Sequence, residues 1–66
     1  MMIATCSDGY VFLDRAEDES FVNLYPVRSR TPIISEADEI LKELGLTTIV
    51  NWQPTRIACQ LVAVVA

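Results

Sequence analysis

The pattern of apolar and polar positions is most unusual in the last ten residues, 57–66. Gln60 is their only strongly polar side chain. Ile57, Cys59, Leu61, Ala63 and Val65 form one alternating set, and Ala58, Val62, Val64 and Ala66 the other. A strand with one wet face alternates apolar with polar residues, and this one does not. It is expected to be covered twice, by a helix on one face and by a second copy of the chain on the other. A run of about ten residues falls far short of the roughly 20 that a helix needs to cross a bilayer, so no membrane span is expected. Its β-branched content favours a strand.

Residues 2–6 read as a strand, and 10–13 as its return. Asp8-Gly9 between them suits a two-residue type I′ hairpin loop, whose central positions need positive φ. That register pairs Ser7 with Tyr10, Cys6 with Val11, Thr5 with Phe12 and Ala4 with Leu13. One face then carries Ala4, Cys6, Val11 and Leu13, suited to a core. The other carries Thr5, Ser7, Tyr10 and Phe12, suited to binding. Residues 14–20 hold four acids and one base and are expected to form a solvated acidic loop. Residues 21–25 can form a third strand, ended or held at an edge by Pro26, which cannot donate to a ladder.

The helix signal is clear. Ser35 is the expected N-cap, with Asp38 three residues on as a capping-box variant; Thr31-Pro32 is an alternative start. Ala37, Ile40, Leu41 and Leu44 make one apolar stripe at helical spacing. Gly45 is expected to end the helix in the left-handed conformation, with Leu46 folding back on Leu41 as in a Schellman motif. Residues 47–52 read as the fourth strand. Residues 53–56 read as a type I turn with Pro54 at its second position. The expected fold is a single α+β domain over residues 1–66, a two-layer sandwich of order β-β-(β)-α-β-β. One helix lies on one face of an antiparallel or mixed sheet.

Composition adds one argument for a partner. The chain is 52% hydrophobic, slightly above the usual range of roughly 45–50%, in a body small enough to bury only about 60% of its unfolded surface. The net charge of −4, from nine acids and five bases, argues against direct nucleic-acid or anionic-membrane binding. It suits a basic protein surface as a partner. Cys6 and Cys59 are the only cysteines and histidine is absent, so no metal site or cofactor is expected. The chain opens on no basic segment followed by an apolar run. A cytoplasmic protein with two buried free thiols is the expectation, with a Cys6–Cys59 or intersubunit bridge as the alternative.

Catalysis needs a nucleophile with a base, a metal or a tuned acid–base pair, and none is evident, so no enzyme is expected. Arg28, Arg30, Thr31 and Ser35 beside the helix N-terminus are the candidate anion site, although Glu36, Asp38 and Glu39 would repel an anion there. The aromatics lack an accompanying basic stripe, and Trp52 at a strand end suits an interface because its N–H needs a partner. The leading reading is a small, acidic, non-enzymatic protein-binding module, a homodimer or higher oligomer or an inhibitor of a larger protein. Tyr10, Phe12, Glu17, Asp18, Glu19, Trp52, Val62 and Val64 are its candidate partner-binding residues. The alternatives are a small-ligand-binding oligomer, with a pocket between subunits lined by Trp52, Tyr25, Asn51 and Gln53, and an acidic nucleic-acid mimic.

Overall fold

The computed structural model describes residues 2–15 and 18–66. The element order is β1 (Met2–Ser7), β2 (Tyr10–Arg15), β3 (Asp18–Pro26), α1 (Ile34–Glu43), β4 (Thr48–Pro54) and β5 (Gln60–Val65). The strands form one sheet in the order β3-β2-β1-β5-β4, and every pairing is antiparallel. The expected two-layer α+β architecture is present, and the antiparallel form of the sheet is the one adopted.

The β1–β2 hairpin has the anticipated register, Ser7 opposite Tyr10 through Ala4 opposite Leu13. Asp8 and Gly9 both adopt positive φ, 52° and 83°, as a type I′ loop requires. Val27 N–H donates to the Gly9 carbonyl at 2.9 Å and ties the far end of β3 to this turn. The final strand pairs with β1, Ala63 opposite Ala4, so β1 becomes the centre of the sheet and β5 its interior neighbour.

The chain passes from β3 at one edge to β4 at the other, and α1 makes the crossing. Four inter-strand spacings of about 4.8 Å span roughly 19 Å. A ten-residue helix is about 15 Å long, enough for most of that width with its two connectors. Its buried residues are Ala37 and Leu41. They pack with Ala4, Cys6, Val11, Leu13, Trp52, Ala63 and Val65, and Ile40 and Leu46 lie partly buried against this cluster. Leu44, expected in the stripe, is 38% exposed, so the buried stripe is narrower than the periodicity suggests.

The helix ends as expected. Leu46 N–H donates to the Leu41 carbonyl at 2.9 Å and Gly45 N–H to the Lys42 carbonyl at 3.1 Å. With Gly45 at φ 73°, these are the two bonds of a Schellman motif. It begins differently. Ile33 occupies the N-cap position without a side-chain capping bond, where Ser35 was expected. The reason lies in Glu36, whose Oε1 accepts from the backbone N–H groups of Arg28 (3.0 Å) and Ser29 (3.2 Å). That tether fixes Glu36 in the third helical position and outweighs the roughly 1 kcal/mol a serine cap supplies.

Three segments depart from expectation. Asp14 and Arg15 end β2 and 18–20 begin β3, so the acidic stretch is largely strand, with a register shift between Asp14 and Arg15. β4 runs on through Pro54 with register shifts between Thr48 and Val50 and between Val50 and Gln53, where a turn at 53–56 was expected. The final strand starts at Gln60, because Cys59 adopts φ 56° and reverses the chain. Thr55 Oγ1 organises this loop, accepting from Ile57 N–H at 3.1 Å and lying 2.7 Å from Gln60 Oε1, to which it donates.

Candidate functional site

Side chains alternate across a strand, and the register sorts them. Ala4, Cys6, Val11, Leu13, Ala63 and Val65 are buried on the face that α1 covers. The opposite face has no element of this chain over it among the described residues. It presents three rows. Leu24, Phe12, Thr5, Val62 and Gln53 form the middle row across all five strands. Asp14, Ile3, Val64 and Val50 form the row on one side, and Tyr10, Ser7 and Gln60 the row on the other.

This open face is mostly apolar. Leu24 is 55% exposed, Val50 46% and Tyr10 43%, while Ile3, Phe12, Val62 and Val64 are half-buried. The rings of Tyr10 and Phe12 lie 6.3 Å apart at an interplanar angle of 46°, within the range for favourable aromatic pairs. The one carboxylate among these three rows is Asp14, whose Oδ1 is buried and has no hydrogen-bond partner among the described residues. A buried acceptor left unsatisfied is destabilising by about 1–3 kcal/mol, which marks this atom out.

Of the candidate partner-binding residues, the structure brings Tyr10, Phe12, Val62 and Val64 onto this face. It does not bring Trp52 there. Trp52 is 5% exposed in the core, and its indole N–H donates to Asp38 Oδ1 at 2.9 Å. Its need for an acceptor is met within the chain. Glu17 lies outside the described residues, and Asp18 and Glu19 fall in β3. Thr5 and Ser7 lie there as the hairpin register placed them; Ile3, Leu24 and Val50 complete the face without having been singled out, and Ile3, two residues from Thr5 on the same strand, is the one that alternation finds.

The other proposed sites fare differently. Arg28, Arg30, Thr31 and Ser35 are all exposed, but Glu36 already occupies the Arg28 and Ser29 amides with a carboxylate of the chain itself. An open cleft of about 320 Å³ beside them is lined by Glu36, Glu39 and Glu43 against Arg28, a setting hostile to anions. Tyr25 and Trp52 stand on opposite edge strands of the sheet, so one chain does not assemble the pocket with Asn51 and Gln53. Among the described residues, no three His, Cys, Asp or Glu side chains converge as metal ligands, and no helix is long and apolar enough to cross a membrane.

The cysteines are both free, Cys6 buried and Cys59 exposed, so the expectation of two buried thiols holds for Cys6 alone. Burial pushes the Cys6 thiol above its ordinary value of 9.0, the negative charge of Glu36 adds to this, and a hydrogen bond with the Ile33 backbone opposes it. A thiol held protonated is a poor nucleophile. Cys59 lies in a second open cleft of about 360 Å³ with Pro32, Pro54, Ile57 and Leu61. The chain matches no protein-family model, no curated protein and no solved structure.

Proposed function

We propose that the chain is a small, non-enzymatic protein-binding module that self-associates through the open face of its sheet. The observation that carries this reading is the row Leu24–Phe12–Thr5–Val62–Gln53, which spans all five strands with no cover from α1. Soluble monomers rarely leave a contiguous apolar patch beyond a few hundred Å². Six-residue strands about 20 Å long and five strands about 4.8 Å apart give a face of roughly 500 Å² in projection. Two such faces bury about 1,000 Å², the lower limit for a specific interface. The association is therefore concentration-dependent. A two-fold pair, the commonest assembly, covers both faces at once.

Sedimentation equilibrium across a concentration series tests this. The parent chain is expected to form dimers by high micromolar concentration, and Val62→Lys or Val64→Lys, each placing a charge on the open face, to shift it to monomer or precipitate it. A parent monomer throughout the series, with both lysine variants equally soluble, would overturn the reading and direct attention to a different protein as the occupant.

A further inference from the structure

Resting on that reading, we infer that two copies stack their open faces about a two-fold axis running obliquely across the strands, from beside Phe12 to beside Val50, so that Tyr10 of each copy packs on Leu24 of the other and Ile3 of each on Val62 of the other. The argument is the distribution of apolar side chains over the face. Strands lie about 4.8 Å apart and successive rows about 7 Å apart. On that grid Tyr10 and Leu24, on β2 and β3, occupy one corner, and Val64 and Val50, on β5 and β4, the opposite one. Phe12, Ile3 and Val62 lie between them. Together these side chains form one oblique band. Thr5 and the Tyr10 hydroxyl are its polar groups, and no charged side chain falls within it. The other polar positions flank the band, Asp14 on one side and Ser7, Gln60 and Gln53 on the other.

A two-fold interface sets one patch against itself, so the axis decides what each residue meets. With the axis along the band, Tyr10 and Leu24 lie on opposite sides of it near one end and exchange places. Ile3 and Val62 do the same farther along. Phe12 and Val64 lie close to the axis and approach their own counterparts. Apolar residues therefore meet apolar residues along the whole band, while Asp14, Ser7, Gln60 and Gln53 fall at the rim, where water reaches an interface. An axis along β1 instead sets Tyr10 against Gln60, Leu24 against Gln53 and Val64 against Asp14. An axis along the middle row sets Ile3 against Ser7 and Val64 against Gln60. Each of these rivals presses polar groups onto apolar ones, which is unfavourable.

Mixed charge variants test the pairing, with the dissociation constant read by sedimentation and circular dichroism confirming each fold. The first pair is Tyr10→Lys and Leu24→Glu, both at exposed positions where a charge is compatible with folding. The second is Ile3→Glu and Val62→Lys. Each variant alone should raise the dissociation constant about a hundredfold, roughly tenfold for each of two charges set against an apolar neighbour. Mixing the two members of a pair should restore a heterodimer within about tenfold of the parent, because one of its two contacts becomes an ion pair and the other is unchanged. A parent dimer that Val62→Lys weakens, but for which neither mixture is tighter than its separate variants, overturns this axis and leaves the proposed function standing. A dimer indifferent to Val62→Lys, or a parent that stays monomeric, overturns both.

Discussion

Removing the acceptor from Trp52 is the sharpest test of how the helix is held on the sheet. Asp38→Ala deletes the carboxylate that takes the indole N–H at 2.9 Å, in a tryptophan only 5% exposed. Asp38 itself is exposed, so the loss of its charge near water counts for little. The penalty falls on the donor, left buried without an acceptor, at about 2 kcal/mol. Alanine is the better helix former by about 0.5 kcal/mol, which leaves a net loss of about 1.5 kcal/mol. A domain of 66 residues has about 3–10 kcal/mol of total stability at roughly 0.05–0.15 kcal/mol per residue. At about 4–8 °C per kcal/mol for a chain this size, Tm should fall by about 6–12 °C. Asp38→Asn keeps a neutral acceptor and should lose about half as much. Glu39→Ala, on the same helix and exposed, should move Tm by no more than about 2–4 °C. The chain has a single tryptophan, so its fluorescence on heating reports this seam directly. An Asp38→Ala variant that melts within about 2 °C of the parent would refute the reasoning.

Two further outcomes follow from the core. Leu41→Ala, at a side chain 2% exposed, should lower stability by about 2–5 kcal/mol and move the urea midpoint by most of its range or prevent folding; an unmoved midpoint would show that Leu41 is not core. Native protein should present one thiol to Ellman's reagent, Cys59, with Cys6 reacting only on unfolding; two equally fast thiols would contradict the burial of Cys6. Because burial raises the Cys6 pKa in the folded state above 9.0, the folded chain holds that proton more tightly than the unfolded one. The resulting stability is complete below pH 9 and declines as pH rises from there through the raised value. Cys6→Ala should flatten that alkaline decline.

Much of the fold was legible because local signals and global packing agree. Asp8-Gly9 set the hairpin register, and that register placed Ala4, Cys6, Val11 and Leu13 inward, where all four are buried. Gly45 stopped the helix for the reason expected. What was not legible turned on contacts distant in sequence or on one extra residue. Strict alternation from Val50 sends Trp52 to the open face. The irregularity between Val50 and Gln53 inserts a residue and reverses it, as a bulge does. Ser35 lost the N-cap to Ile33 because Glu36 is tethered to amides seven and eight positions away. Cys59 reads as one more apolar strand residue until its positive φ shows it to be the turn. Half of the candidate site was readable from the hairpin register and the final strand alone. The one carboxylate in its three rows, Asp14, was hidden inside what reads as an acidic loop.

The same irregularity in β4 bears on what kind of aggregate the chain avoids. A sheet edge is a template on which another chain can add as a new strand, and an unbroken one can grow without limit. β4 offers two register shifts and a terminal Pro54, so its outward amides do not form the evenly spaced ladder that a templated strand would read. The proposed pairing of two open faces would use itself up, whereas growth along this edge would be open-ended. In a chain about half hydrophobic, straightening β4 would restore an even ladder at this edge and with it the template for added strands.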